Sequence, residues 1–226
     1  MSDGEISGCP ARMLTYVRLS AIVKAAYCLK GELTVEDIQL TWIILAGGDS
    51  TRMGRPKHLL PWKAGTLLDE AVRKACRMDA AEVLVSARTA CPPYRCCRDI
   101  IAKSGPLGGI HACLQQAKEE MCMILPVDVP LFPEELVPEM ARYASVNNCE
   151  YLPLVWNGKL EPTVAIVRRS ALGAIKEMLQ NRQLRMSLLL QHVRSDVFSR
   201  EGDPLLLYNC NTPEQYAYLC QHDHCG

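Results

Sequence analysis

The stretch Trp42-Ile43-Ile44-Leu45-Ala46-Gly47-Gly48-Asp49-Ser50-Thr51-Arg52-Met53-Gly54-Arg55-Pro56-Lys57 decides the fold. Its first four residues form a short, unbroken apolar run, the pattern of a strand buried on both faces. Ala46-Gly47-Gly48 ends that run, so the glycine-rich part lies at a strand's carboxyl end, where open α/β sheets bind ligands. Gly47, Gly48 and Gly54 permit close backbone approach and positive φ. Their N–H groups are then free to turn towards phosphate oxygens, and Arg52 and Lys57 add side-chain cations that neutralise a triphosphate. Neither Gly-x-x-x-x-Gly-Lys-Ser/Thr nor Gly-x-Gly-x-x-Gly is present, which argues against a P-loop NTPase and a dinucleotide-binding fold.

Working outward, strands and helices alternate. Apolar spacing predicts a helix over about Thr66–Met78, with Leu67, Leu68, Ala71, Val72 and Ala75 on one face. Strands follow at Glu82–Ser86 and Met121–Leu125, and helices at Gly108–Lys118 and Pro133–Ala144, the latter with Pro in its first turn. Two strands, near Tyr151–Trp156 and Pro162–Arg168, bracket a turn at Asn157-Gly158. Helices near Ser170–Leu179 and Met186–His192, a final strand at Leu205–Tyr208 and a helix opened by Thr212-Pro213-Glu214 complete the chain. This alternation predicts a three-layer α/β/α domain over residues 41–226, with a mostly parallel, Rossmann-like sheet. Residues 1–40 read as a helical appendage, with Leu14, Val17, Ala21, Ala25 and Cys28 at helical spacing and no evident chemistry.

The chain of 226 residues has 25 Lys plus Arg against 25 Asp plus Glu, so its formal net charge is zero. A nucleic-acid binder would carry a basic excess, so phosphate recognition must be local. Residues Met13–Leu29 are interrupted by Arg18 and Lys24 and give neither a membrane span nor an export signal. A cytoplasmic protein with reduced thiols is expected. The 12 cysteines are scattered; Cys96-Cys97 lacks metal or redox spacing. Cys76, Cys113 and Cys122 fall at apolar positions, where thiols act as small hydrophobes. His58 and His111 lie near the glycine motifs without an obvious partner, and no nucleophile signature appears.

Two further motifs carry chemistry. Asp128, within Leu125-Pro126-Val127-Asp128-Val129-Pro130, stands at the end of an apolar strand between prolines that fix the backbone. A hard carboxylate opposite a phosphate loop suits Mg²⁺, which binds one or two carboxylates plus substrate phosphates. Asp99 precedes Gly105-Pro106-Leu107-Gly108-Gly109, where glycines open a helix whose N-terminus favours anions.

Leu-Ala-Gly-Gly-x-Ser-x-Arg-Met-Gly followed closely by Lys57, Gly-Pro-Leu-Gly-Gly after Asp99, the Asp128 motif, Glu161-Pro162-Thr163 and Asn209-Cys210-Asn211-Thr212-Pro213 together resemble the molybdenum cofactor guanylyltransferases. The resemblance runs from Trp42 to about Tyr218. It implies transfer of GMP from GTP to molybdopterin with release of pyrophosphate. It also implies catalytic roles for Arg52, Lys57 and Asp128, with Mg²⁺ on Asp128. Nucleotide contacts from Leu45, Ala46, Gly47, Gly48, Lys57, Asp99 and Asp128 follow, and so do insertion proteins and target molybdoenzymes as partners, with neither nucleic acid nor membrane. Asn211 or Thr212 either caps the last helix or meets substrate. Two departures and one competing resemblance stand out. Ser86-Ala87-Arg88 lacks the Asn that those enzymes carry before this Arg. Glu161 stands where they often have His. The run Arg-Met-Gly-Arg-Pro-Lys with Leu59-Leu60-Pro61-Trp62 also resembles the molybdopterin cytidylyltransferases, which usually have Ala where this chain has Gly47. Cytidylyl transfer, a sugar-1-phosphate nucleotidyltransferase and a non-catalytic nucleotide-binding module are the alternatives; a dehydrogenase is remote.

Overall fold

A computed structural model describes residues 38–47, 56–98 and 104–222. All of these fall in one compact unit, Ile38–Gly226. The appendage expected over residues 1–40 lies outside the described residues except for its last three positions.

Nine strands are described: β1 (Thr41–Leu45), β2 (Pro61–Trp62), β3 (Gly65–Thr66), β4 (Glu82–Ser86), β5 (Cys96–Cys97), β6 (Met121–Pro126), β7 (Tyr151–Trp156), β8 (Lys159–Arg168) and β9 (Phe198–Arg200). Seven of them build the central sheet in the order β5-β4-β1-β6-β8-β7-β9, while β2 and β3 form a small separate hairpin. β1 pairs in parallel with both β4 and β6, and only β8 runs against its neighbours. The sheet is therefore mostly parallel, as the alternation of elements predicts.

Helices α1 (Leu67–Arg77), α2 (Gly105–Leu114), α3 (Val137–Val146), α4 (Leu172–Gln180) and α5 (Pro213–His222) cover it. Successive β1 residues point to opposite faces. Trp42 and Ile44 pack with α1, α3 and α5 on one face, whereas Ile43 packs with α2 and α4 on the other. Trp42, Ile43 and Ile44 are fully buried; each such side chain contributes about 1.5–3 kcal/mol of transfer energy.

α1 begins where its cap predicts. The Thr66 hydroxyl accepts from Asp69 N–H at 3.2 Å, and Asp69 Oδ2 accepts from Thr66 N–H at 2.8 Å. This reciprocal pair is a capping box. Lys74 of the same helix is buried and donates to Phe132 O and Glu134 Oε2, both at 2.7 Å. It fastens α1 to the segment that follows β6.

Several expected elements shift. The strand expected at Leu205–Tyr208 is a 3-10 turn, Pro204–Leu207. Asp203 accepts from Leu205 N–H at 2.9 Å and Pro204 opens the turn, so its leucines serve as a plug rather than a ladder. The real last strand is β9, parallel to β7. α2 starts at Gly105 rather than Gly108 and stops at Leu114. The Pro133–Ala144 segment is a 3-10 turn, Glu134–Leu136, running into α3. Met186–Gln191 is 3-10 rather than α. β8 starts directly after the Asn157-Gly158 turn, three residues earlier than expected. Cys76 is exposed, contrary to its apolar assignment, whereas Cys113 and Cys122 are buried; all described cysteines are free thiols. Among the described residues no helix is long and apolar enough to cross a membrane.

Candidate active site

The carboxyl ends of β4, β1 and β6 lie side by side, because the three strands are parallel and in register from Glu82, Thr41 and Cys122. Main-chain bonds continue past the strands and fix the rim. Ala46 N–H donates to Ser86 O at 2.9 Å, and Val127 N–H to Leu45 O at 3.1 Å. Leu45 thus acts through its carbonyl, and Ala46 is buried. Gly47 follows at the mouth. A Cβ built there meets Ser86 O at 3.5 Å, Ala87 Cα at 3.8 Å and Arg88 N at 4.0 Å. These are ordinary contacts, so the protein's own packing does not demand glycine at this position.

Lys57 opens a 3-10 turn, Lys57–Leu59, directly behind that mouth. The adjacent His58 is buried and hydrogen-bonded to the Ala46 main chain; burial pulls its imidazole below the usual range, and that bond opposes the shift. His58 therefore acts as a staple between the Lys57 turn and the end of β1.

Lys57 and Asp128, 71 residues apart in sequence, meet: Lys57 Nζ lies 3.4 Å from Asp128 Oδ2. Both side chains are about four-fifths covered, with 17% and 21% exposure. Burial pushes the Asp128 carboxyl up, and the Lys57 ammonium opposes this by charge and hydrogen bond. The net upward direction means that the lysine only partly compensates the carboxylate.

Asn211 completes the cluster, its Oδ1 accepting from Lys57 Nζ at 2.5 Å. Its neighbour carries the capping role. Thr212 Oγ1 accepts from Gln215 N–H at 3.3 Å, while Gln215 Oε1 accepts from Thr212 and Asn211 N–H at 3.1 and 2.9 Å. Thr212 thus takes the capping role, and Asn211 turns to Lys57 instead. The segment is also fixed from below, since Cys210 N–H donates to Asp128 O at 2.8 Å.

At α2, Gly105 adopts φ +57°, which favours glycine, and carries the chain into the helix. Ser104 before it is fully buried, and its hydroxyl has no hydrogen-bond partner among the described residues. Sequence reasoning passed over it; only burial marks it. His111 lies deeper in α2, is buried, and has its imidazole lowered by burial and by the Lys176 charge. Gly48, Arg52 and Asp99 lie outside the described residues. No group of three or more His, Cys, Asp or Glu suited to a metal occurs among the described residues.

This arrangement offers one hard carboxylate, one ammonium and one amide oxygen at the end of a parallel sheet, a site for a phosphorylated ligand with a cation. The model of the MobA-like NTP transferase domain matches residues 42–196. A probable molybdenum cofactor guanylyltransferase of Carboxydothermus hydrogenoformans is 32% identical over 80% of this chain and 94% of its own length. The molybdenum cofactor guanylyltransferase of Xanthomonas euvesicatoria is 30% identical over 79% of this chain and 93% of its own. In fold, the crystal structure of molybdopterin-guanine dinucleotide biosynthesis protein A from Archaeoglobus fulgidus matches with a TM-score of 0.69 at 16% identity, covering 80% of this chain and 96% of that one. With the matched domain spanning most of the sheet and both halves of the Lys57–Asp128 pair, the chain belongs to the MobA-like NTP transferase family of nucleotidyltransferases.

Proposed function

We propose that the protein transfers GMP from GTP to the phosphate of molybdopterin, forming the guanine dinucleotide cofactor and releasing pyrophosphate. The observation that carries this reading is the meeting of Lys57 with Asp128 and Asn211 at the carboxyl ends of β1 and β6. The names of the relatives above supply the substrates.

An acceptor phosphate oxygen attacks the α-phosphorus in line, a new P–O bond forms, and the bond to the β-phosphate breaks. No covalent enzyme intermediate is needed, so catalysis rests on positioning and charge. Lys57 offsets charge on the departing β- and γ-phosphates, together with Arg52. The Gly47 and Gly48 amides, next to Leu45 and Ala46, hold the triphosphate, and Asp99 contacts the nucleotide. Asp128 fits Mg²⁺: it is a hard oxygen donor whose charge burial leaves under-compensated. When bound, Mg²⁺ neutralises phosphate oxygens at the reacting centre. The product then passes to insertion proteins and target molybdoenzymes, and the reaction takes place in the cytoplasm.

A second reading, CMP transfer from CTP, draws on Ser86-Ala87-Arg88, where the guanylyltransferases have an Asn. The contacts at Gly47 leave room for the alanine of the cytidylyltransferases, so this glycine does not separate the two. Pyrophosphate release is to be measured with each of the four NTPs, Mg²⁺ and molybdopterin. Turnover confined to GTP is expected. Preference for CTP replaces the first reading with the second, and release with neither removes both.

A further inference from the structure

We infer that Cys91 and Cys96 form a redox site, a thiol pair that a low-molecular-weight disulfide such as glutathione disulfide closes into an intramolecular bond. The inference does not depend on which nucleotide the protein uses.

The pair lies in the connection between β4 and β5, Cys91-Pro92-Pro93-Tyr94-Arg95-Cys96. Its spacing is not Cys-x-x-Cys, yet the chain turns back on itself here. Tyr94 N–H donates to Cys91 O at 2.9 Å and closes a tight turn. Val85 N–H donates to Arg95 O at 2.9 Å, and Cys96 pairs with Val85, which fixes the far side of the turn on β4. The Tyr94 hydroxyl donates to Asp69 Oδ1 at 2.5 Å, so the turn is also tied to the start of α1. The two cysteines meet across it. Cys91 N–H donates to Cys96 Sγ at 3.2 Å, and the thiols are hydrogen-bonded to each other. Cys96 Sγ thus lies against the main chain of Cys91. Rotation about side-chain bonds, without main-chain movement, is enough to bring the sulfurs to bonding geometry.

Successive residues of β5 face opposite sides of the sheet. Cys96 packs on the side that holds Cys91, and Cys97 on the other side with Cys113. Cys97 and Cys113 are fully buried, beyond the reach of a reagent. Cys96 is partly exposed and Cys91 is 8% exposed. Cys96 is therefore the thiol that a reagent meets first, and Cys91 the one that resolves. The step is thiol–disulfide exchange. The Cys96 thiolate attacks one sulfur of glutathione disulfide, that S–S bond breaks, and one glutathione thiolate leaves. The Cys91 thiolate then attacks Cys96 Sγ, the protein S–S bond forms, and the second glutathione thiolate leaves. The two protein thiol protons end on the two glutathiones; the protein loses two electrons and the reagent gains them. The ring closes three residues past Arg88, whose main-chain nitrogen lies 4.0 Å from a Cβ built at Gly47, so the pair adjoins the mouth of the site.

The rival explanation is that the two thiols only fill space, as small hydrophobes do. The full chain, incubated with reduced and oxidised glutathione at graded ratios, alkylated and cut with trypsin, separates the two. The expected product is residues 89–95 joined to residues 96–98, with Cys97 alkylated. C91S should stop at the mixed disulfide of Cys96, and C96S should leave Cys91 reduced. The closed pair should be favoured over the mixed disulfide by about tenfold or more relative to the same chain in urea, because the fold holds the sulfurs together. The circular dichroism spectrum should not change on closure. If a serine variant does not fold, the wild-type peptide map and the comparison with urea decide alone. Glutathione left on Cys96 of the wild type without the link overturns the inference, as does a link from Cys96 to Cys76 or Cys97. So does an equal closing constant in urea, or an unmodified pair under conditions that modify the exposed Cys76 and Cys220.

Discussion

Replacing Asp128 by Asn should make the protein more stable and much less active. The side chain is mostly covered, and burial lifts its carboxyl above the usual range despite Lys57 at 3.4 Å. Each unit of such a lift costs the ionised fold about 1.4 kcal/mol at neutral pH. Asn removes that cost and keeps a side-chain oxygen for Lys57 to donate to, while the loss of counter-charge at Lys57 offsets part of the gain. In a domain of this size 1 kcal/mol shifts Tm by about 2–4 °C. The sign with pH follows from the direction of the shift. A folded pKa above the unfolded one makes the penalty fully present above the folded value, smaller as pH falls through it, and zero below the unfolded value. The Tm advantage of Asp128→Asn is therefore largest near neutrality and vanishes towards acid. Scanning calorimetry of the metal-free protein from pH 4 to 8 measures it. Transfer should fall by about 10²–10³, as for loss of one pre-organised charge-stabilising group. A variant that melts lower than wild type at pH 7, or a difference that ignores pH, refutes the argument about burial. Turnover within tenfold of wild type refutes the role.

Lys57→Met removes the contacts to Asp128 and Asn211. Pyrophosphate release should drop by about 10²–10³ with an unchanged circular dichroism spectrum. The acid limb of any residual pH–rate profile should move to higher pH, because the cation that holds Asp128 down is gone. Gly202→Ala puts a Cβ 2.5 Å from Trp156 Cζ2 and 2.7 Å from Cη2; urea titration should show a loss of about 1–3 kcal/mol from overpacking, with turnover of the folded protein retained. Thr66→Ala breaks the α1 capping box and should cost about 1 kcal/mol in the same assay, again without a rate effect.

What could be read from the chain depended on how local its physics was. β1 was legible because four apolar residues followed by glycines allow few other conformations. α1 was legible because Thr66, Asp69 and the apolar face agree with one another. The Leu205–Leu207 run misled because three leucines satisfy a strand pattern as well as a plug; Asp203-Pro204, a turn opener, was the available signal. β9 carried no signal at all, since three residues acquire strand character only from pairing with β7. The site divides in the same way. Asp128 was marked by its prolines and Lys57 by its glycines. That Thr212 caps the last helix while Asn211 bonds to Lys57 needed coordinates, because neither partner is marked in the sequence. His58 gave no sign of its work as a staple, which depends on a main-chain group twelve positions earlier, at Ala46.

Main-chain bonds stitch the rim of the site alongside the side-chain contacts of His58 and Lys57. Ser86 O, Leu45 O and Asp128 O each accept an N–H from a different segment, at 2.9, 3.1 and 2.8 Å. These bonds tie β4 to the residue after β1, β1 to the residue before Asp128, and Asp128 to the residue before Asn211. The transfer proposed above uses no protein nucleophile, so its rate would depend on how closely the charges hold their places. Main-chain bonds do this independently of which side chains line the mouth. Gly47, whose Cβ position meets only ordinary contacts, can therefore be replaced without moving the Lys57–Asp128 pair. Substitution of alanine at position 47 should then leave Tm nearly constant. Substitutions that disturb the stitching, such as proline at position 127 or 210, should lower stability and turnover together, since each removes an N–H that the rim uses.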